Sequence, residues 1–238
     1  MLKKMLNQLN WPNRFRQAAP SLAPPHPPSA ARASSAEDTW QVAEGAIRVG
    51  WVSVAGLSRA AARQHVRQAL ARHTAGLAGR GNWQETPQGP VAAAPEVSLS
   101  LSYAGEAAVW AVGQGCKLGV DLVQLAPLAD WRAVSQLYLG EAVTAQLATC
   151  TEAARPAAFA EAWAQLEARS KCLDLPLTEW QAASTKPTLS PAARHAALAR
   201  CQTVSLTGLA GYVLVVAWQE APPLFAASPA SPPSGGGG

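Results

Sequence analysis

This 238-residue chain has little charge, no cysteine cluster, no membrane-length apolar run and no secretory signal core. Its four cysteines, Cys116, Cys150, Cys172 and Cys201, lie far apart, with no CxxC pair and no Cys/His grouping. That excludes the usual zinc frameworks and leaves free thiols in a reducing compartment as the expectation. No stretch of about 18 consecutive apolar residues is present, so no membrane span is expected. With no apolar signal core at the N-terminus, the cytoplasm is the expected compartment. Charged residues make up 14% of the chain, so the placement of charge says more than the net +4. No acidic residue occurs between Glu44 and Glu85, a window that holds Arg48, Arg59, Arg63, Arg67, Arg72 and Arg80. Composition alone leaves a polyanion-binding surface and a solvated arginine face equally open.

Hydrophobic residues are 49% of the chain, enough for one large domain or two small ones. The basic start MLKKMLNQLNWPNRFRQ has Leu2, Met5, Leu6 and Leu9 at helical spacing and reads either as a docking helix or as a frayed tail. APSLAPPHPPSAARASSA, residues 19–36, and APPLFAASPASPPSGGGG at the end cannot bury enough apolar surface to offset the entropy of ordering. The expected organisation is therefore an extension over 1–39, an N-terminal half over 40–117, a C-terminal half over 118–220 and a tail over 221–238.

AIRVGWVSV, residues 46–54, reads as a strand. Ser58 then stands as an N-cap before RAAARQHVRQALARH, whose Ala62, Val66, Ala69 and Leu70 make an apolar stripe while Arg59, Arg63 and Arg67 share another face. VSLSLSYA alternates strictly and EAAVWAV follows a turn, so 97–112 is a hairpin candidate, with the strand LGVDLVQL after it. A helical stretch is expected over about 130–150, and Pro156 opens the helix AAFAEAWAQLEARSKCL. CQTVSLTGLAGYVLVVAW, residues 201–218, reads as a closing hairpin. Strand, helix and hairpin thus occur twice, which suggests an α+β protein of two similar halves packed as a pseudo-dimer, with a cleft between them.

Asp121, in the middle of LGVDLVQL, needs a partner, a proton or a metal, because a lone buried carboxylate costs several kcal/mol. Strand-end capping or an arginine partner is the plainer alternative. Glu167 and Lys171 stand four apart on a helix, a pair worth only about 0.2–0.5 kcal/mol by itself. Glu167 shares its side with Trp163, which Phe159 marks as core, whereas Glu161 and Arg169 are expected on the solvated face.

GVDL at 119–122 and FAEAWAQLEARSK at 159–171 together resemble the two signatures of the 4'-phosphopantetheinyl transferase superfamily, a Gly-(Ile/Val)-Asp strand and a Trp/Phe-x3-Glu-(Ala/Ser)-x2-Lys helix. The likeness runs over about 46–218. It implies that Asp121 and Glu167 hold Mg2+ against the diphosphate of coenzyme A, which suits a hard cation that favours carboxylates, phosphates and water. It also implies that Glu167 helps deprotonate the serine of an apo carrier protein, and that Lys171 stabilises charge at the phosphates as 3',5'-ADP leaves. Ser102 and Tyr103, at the family's Ser-His position, would then contact the nucleotide. Arg63 or Arg67 would meet the 3'-phosphate, a choice made on composition alone. Such a protein is expected to be a monomer that binds no nucleic acid.

Some positions depart from the pattern. Val123 stands where the larger members commonly carry a second acid, Leu166 replaces a lysine, Tyr103 and Ala104 replace His-Ser, and CLDLPL shortens the glycine loop after the lysine. Tyrosine offers no cation near neutral pH, unlike histidine. Two rivals therefore stand beside a transferase: a non-catalytic member that binds coenzyme A or a carrier protein, and an arginine-rich nucleic-acid-binding domain. The nine tryptophans, scattered among aliphatic residues, read as core more than as a stacking platform.

Overall fold

The computed structural model describes residues 39–74, 83–86, 89–177 and 191–220, without the side chains of 191 and 192. The basic N-terminal segment, the proline-rich stretches at 19–36 and 221–238, and Arg80 lie outside the described residues. Within them the protein is α+β, with five helices and three antiparallel sheets. The strands are β1 (Thr39–Val42), β2 (Ile47–Ser53), β3 (Trp83–Thr86), β4 (Gly89–Ala92), β5 (Val97–Ala104), β6 (Ala107–Gln114), β7 (Cys116–Gln124), β8 (Gln202–Leu206) and β9 (Tyr212–Glu220). The helices are α1 (Arg59–Thr74), α2 (Trp131–Tyr138), α3 (Glu141–Thr149), α4 (Arg155–Cys172) and α5 (Pro191–Ala199).

One sheet has the order β1-β2-β6-β5 and another β7-β9-β8, so, with β1 added outside β2 in the first, each runs from a leading strand (β2 or β7) to the second strand of its hairpin and then to the first. The alternation of β6 puts Ala108, Trp110 and Val112 against Val66, Ala69 and Leu70 of α1. Its Ala107, Val109 and Ala111 face Leu118, Val120 and Leu122 of β7 and Leu214 and Val216 of β9. Period-two side chains on two stacked sheets thus build the central core. Val215 and Ala217 point the other way, against Ala164, Ala168 and Cys172 of α4. The resulting layers are helix, sheet, sheet, helix.

Ser58 caps α1 as expected, its Oγ accepting the Ala61 N–H at 3.2 Å. The stretch 130–150 is not one helix. Gly140, at φ 85°, separates α2 from α3, and a buried Ser135–Thr144 hydroxyl pair at 2.8 Å holds the corner. Glycine makes that left-handed turn without steric cost. Trp163 of α4 packs on this corner, stacked with Phe159 and edge-on to Tyr138. Arg169 is not on a solvated face as expected. It is half-buried and donates to Thr203 Oγ1 at 3.4 Å, because α4 lies across the third sheet and its length of stem is used in packing. The short strand β1, the β3-β4 hairpin and α5 had no counterpart among the sequence expectations.

Candidate functional site

Where the two large sheets meet, β5 and β7 are both edge strands, and edge strands present unpaired backbone groups. The alternate serines of β5 answer this. Ser98 Oγ donates to the Cys116 carbonyl at 2.6 Å, Ser100 Oγ accepts the Val120 N–H at 2.9 Å, and Ser102 Oγ donates to Asp121 Oδ1 at 2.8 Å. The contacts ascend together, so the two strands run side by side in one direction. Alternation in VSLSLSYA would ordinarily send these serines to solvent, yet Ser100 and Ser102 are buried. They form the seam between the two sheets.

Asp121 is 4% exposed and lies on the α4 side of β7. Two residues earlier on that face, Gly119 lets α4 come into backbone contact, since a Cβ there would collide with the Ala168 carbonyl oxygen and the Cys172 amide nitrogen. Two residues later, Val123 packs among the residues around Trp163 and Leu166. The helix therefore runs opposite to the strand, and the turn carrying Glu167 and Lys171 comes level with Asp121. Lys171 Nζ reaches over the strand edge, 2.6 Å from Asp121 Oδ1 and 2.9 Å from the Val120 carbonyl. The alternative in which an arginine neutralises Asp121 is thereby replaced by lysine and serine. Glu167 is half-buried, one helical turn before Lys171.

Both partners of Asp121 use Oδ1, and among the described residues nothing pairs with Oδ2. The Lys171 ammonium already demonstrates that this carboxylate accepts a cation in direct contact. A hard cation such as Mg2+ would use the Oδ2 of Asp121 and the Glu167 carboxylate of the adjoining helix, residue types that suit it. Among the described residues no group of three or more His, Cys, Asp or Glu side chains is arranged to hold a metal, so any such centre would draw its remaining donors from ligand and solvent.

Ser102, Asp121 and Lys171 are thus brought together, with Glu167 on the adjoining helix face. Tyr103, Arg63 and Arg67 form a separate group. Tyr103 follows Ser102 in β5 and so points to the other face, against α1. There Arg67 pairs with Glu85 of β3 through two bonds, Nε to Oε1 and Nη2 to Oε2, the second at 2.7 Å. The Trp83 indole N–H also donates to Glu85 Oε1, at 3.2 Å. Hydrogen bonding from Arg67 holds the Glu85 carboxyl below its usual range. Burial pushes the Tyr103 phenol up, against the opposing pull of Arg67 and Arg63. Arg63 is exposed beside them.

Glu85, Ser98 and Ser100 are the residues that the sequence reading missed, whereas Ser102 was expected at the nucleotide and is found on Asp121. The serines carried a signal, in that three of them occupy one strand face. Glu85 carried only its position as the first acid after a long arginine window. An open apolar hollow of about 310 Å³ between β1 and the β8-β9 hairpin is lined by Trp40, Val42, Val204, Leu206 and Trp218, and none of the candidate residues borders it. All four cysteines are free, with Cys116, Cys172 and Cys201 buried. No helix among the described residues is long and apolar enough to cross a membrane. Compared with known proteins, the chain matches no protein-family model and no curated protein sequence.

Proposed function

We propose that this protein is a 4'-phosphopantetheinyl transferase of two similar halves, moving phosphopantetheine from coenzyme A to a serine of an apo carrier protein. The observation that carries the reading is the convergence of Ser102 from the first large sheet and Lys171 from α4 on a single carboxylate oxygen of Asp121 in the second. A buried Asp held from both sides by donors is a costly arrangement for stability alone, since an apolar trio of the same volume would do as well. The matching strand paths of the two sheets support the two-halved fold.

Asp121 and Glu167 would hold Mg2+, which would neutralise the diphosphate and make its phosphorus accept a nucleophile. Ser102 and Gly119 fix the Asp121 carboxylate, one by hydrogen bond and the other by admitting the helix. Glu167 takes the proton from the carrier serine as its oxygen forms a bond to the β-phosphorus and the bond to 3',5'-ADP breaks. Lys171 holds its ammonium at the Asp121 carboxylate, where it would stabilise charge on the departing oxygen. The non-catalytic alternative draws on the same contact, because Lys171 also neutralises Asp121 without any metal.

Intact-protein mass spectrometry of several apo carrier proteins, incubated with this protein, coenzyme A and Mg2+, tests the proposal. A gain of one phosphopantetheine that is lost with Asp121→Ala and with Mg2+ removal is expected. Coenzyme A binding without any gain would transfer the reading to the non-catalytic binder. Glu167→Gln should abolish transfer while leaving the melting temperature nearly unchanged; a large drop in melting temperature would make Glu167 a structural residue.

A further inference from the structure

We propose that Arg67, Tyr103 and Arg63 form a phosphate-monoester site whose resident occupant is the Glu85 carboxylate, so that a ligand phosphate binds by taking the place of Glu85. The inference rests on the transferase reading only for the identity of that ligand, the 3'-phosphate of coenzyme A. Its basis is a mismatch between donors and acceptor. Glu85 occupies Nε and Nη2 of Arg67, but Arg67 Nη1 and Tyr103 Oη are buried side by side and complete no hydrogen bond. The Tyr103 oxygen can accept from the guanidinium, but its own hydrogen is then left without an acceptor, and a buried donor left over is costly. A carboxylate has two oxygens and both are committed to Arg67. A phosphate monoester offers three, so it can take the same bidentate grip and still present an oxygen to the remaining donors.

The occupant is placed to leave. The Glu85 side chain is 57% exposed whereas that of Arg67 is 20% exposed, so the carboxylate can swing into water while the guanidinium stays. Glu85 sits on the two-stranded β3-β4 ribbon, which forms a sheet of its own, and such ribbons are the least stable kind of sheet. Arg63 adds a second positive charge that Glu85 does not bond, and a dianion gains more from it than a carboxylate does. Glu85 thereby sets a threshold: only an anion stronger than a carboxylate displaces it, which would favour coenzyme A over its 3'-dephospho form.

The Trp83 indole N–H, bonded to Glu85, reports the exchange. In proton–nitrogen NMR spectra of the full chain, with the resonance assigned through Trp83→Phe, titration with inorganic phosphate should shift that signal. Glu85→Gln should lower the phosphate concentration at half-response by about tenfold, equivalent to ~1.4 kcal/mol, and Arg67→Gln should remove the response. Absence of any phosphate response at Trp83 in both the wild type and Glu85→Gln overturns the site. A response whose midpoint is unchanged or raised in Glu85→Gln overturns displacement and makes Glu85 a brace for the ribbon. Coenzyme A and 3'-dephospho-coenzyme A, titrated in parallel, separate this from the transferase reading: if phosphate acts as expected and coenzyme A does nothing at Trp83, the phosphate site stands and its assignment to coenzyme A falls.

Discussion

Gly50 and Gly119 hold corresponding places in the leading strands of the two large sheets, yet different things fill the space above them. Gly50 faces Trp110 across the β2-β6 ladder, and a Cβ there would strike the indole ring. Gly119 faces Ala217 across the β7-β9 ladder, and the backbone of α4 fills the space. A large residue on the hairpin strand thus holds α1 off the first sheet, with His73 stacked on the ring at 4.5 Å, while a small one lets α4 settle onto the second. Two residues beyond the glycine, the first half carries Val52 among its apolar neighbours and the second carries Asp121. One scaffold therefore serves two ends. The looser half keeps its helix-facing surface apolar and its charges at the rim, and the tighter half brings a lysine close enough to neutralise a buried acid.

Moving the acid to the other half should break the comparison most severely. Val52→Asp places a carboxylate where no lysine reaches, and a loss of about 3–5 kcal/mol is expected in denaturant unfolding; a mild loss would mean that the first half also has a hidden cation. Next in size, Gly119→Ala and Gly50→Ala should each lose about 1–3 kcal/mol by overpacking. They should differ in rescue. A double-mutant cycle of Gly50→Ala with Trp110→Leu is expected to show favourable coupling, whereas no side-chain truncation should relieve Gly119→Ala, whose collision is with backbone. Rescue of the latter by trimming Lys171 would contradict the closer seat of α4.

A comparable effect is expected from Lys171→Met, about 1–3 kcal/mol, as the carboxylate keeps Ser102 but loses its ion pair. Combining it with Asp121→Asn should cost less than the two single changes summed, read from melting curves. The smallest effect belongs to the rim of the first half. Because Arg67 holds the Glu85 carboxyl below the usual range, this pair adds stability above the ordinary carboxylate value of about 4.3 and loses it as pH falls through the lowered value. Melting temperature followed from about pH 6 down to about pH 3 should fall slightly less in Glu85→Gln than in the wild type. Identical slopes would deny the pair any part in acid sensitivity.

Much of the main scaffold was legible because its signals are local. The stripe Ala62, Val66, Ala69 and Leu70 is buried on α1 as its spacing requires, and the two hairpins followed from alternation and turn residues. The α2-α3 break was missed since a single glycine in a helical pattern ends a helix only when packing asks for a corner, which here Ser135 and Thr144 supply. The β3-β4 ribbon and β1 are short, and strands of four residues carry too few alternations to stand out. Asp121 was conspicuous because an acid inside an apolar strand conflicts with its neighbours, and that conflict is a property of sequence. Its partners were harder to read. Lys171 lies fifty residues away, and Ser102 belongs to a strand whose alternation does not say what its polar face will meet.

By itself, then, the amino-acid order determined the helix and hairpin periods, the demand that Asp121 find a partner, and the concentration of arginine in the first half, since each arises from residues within a few positions of one another. Only the tertiary structure decided that the partner is a lysine and a serine rather than an arginine, that the β5 serines close a seam, and that Glu85 sits on Arg67. Those choices depend on which edges and faces meet when two sheets pack, and on the missing Cβ of Gly119 that lets one helix come close enough for its lysine to reach.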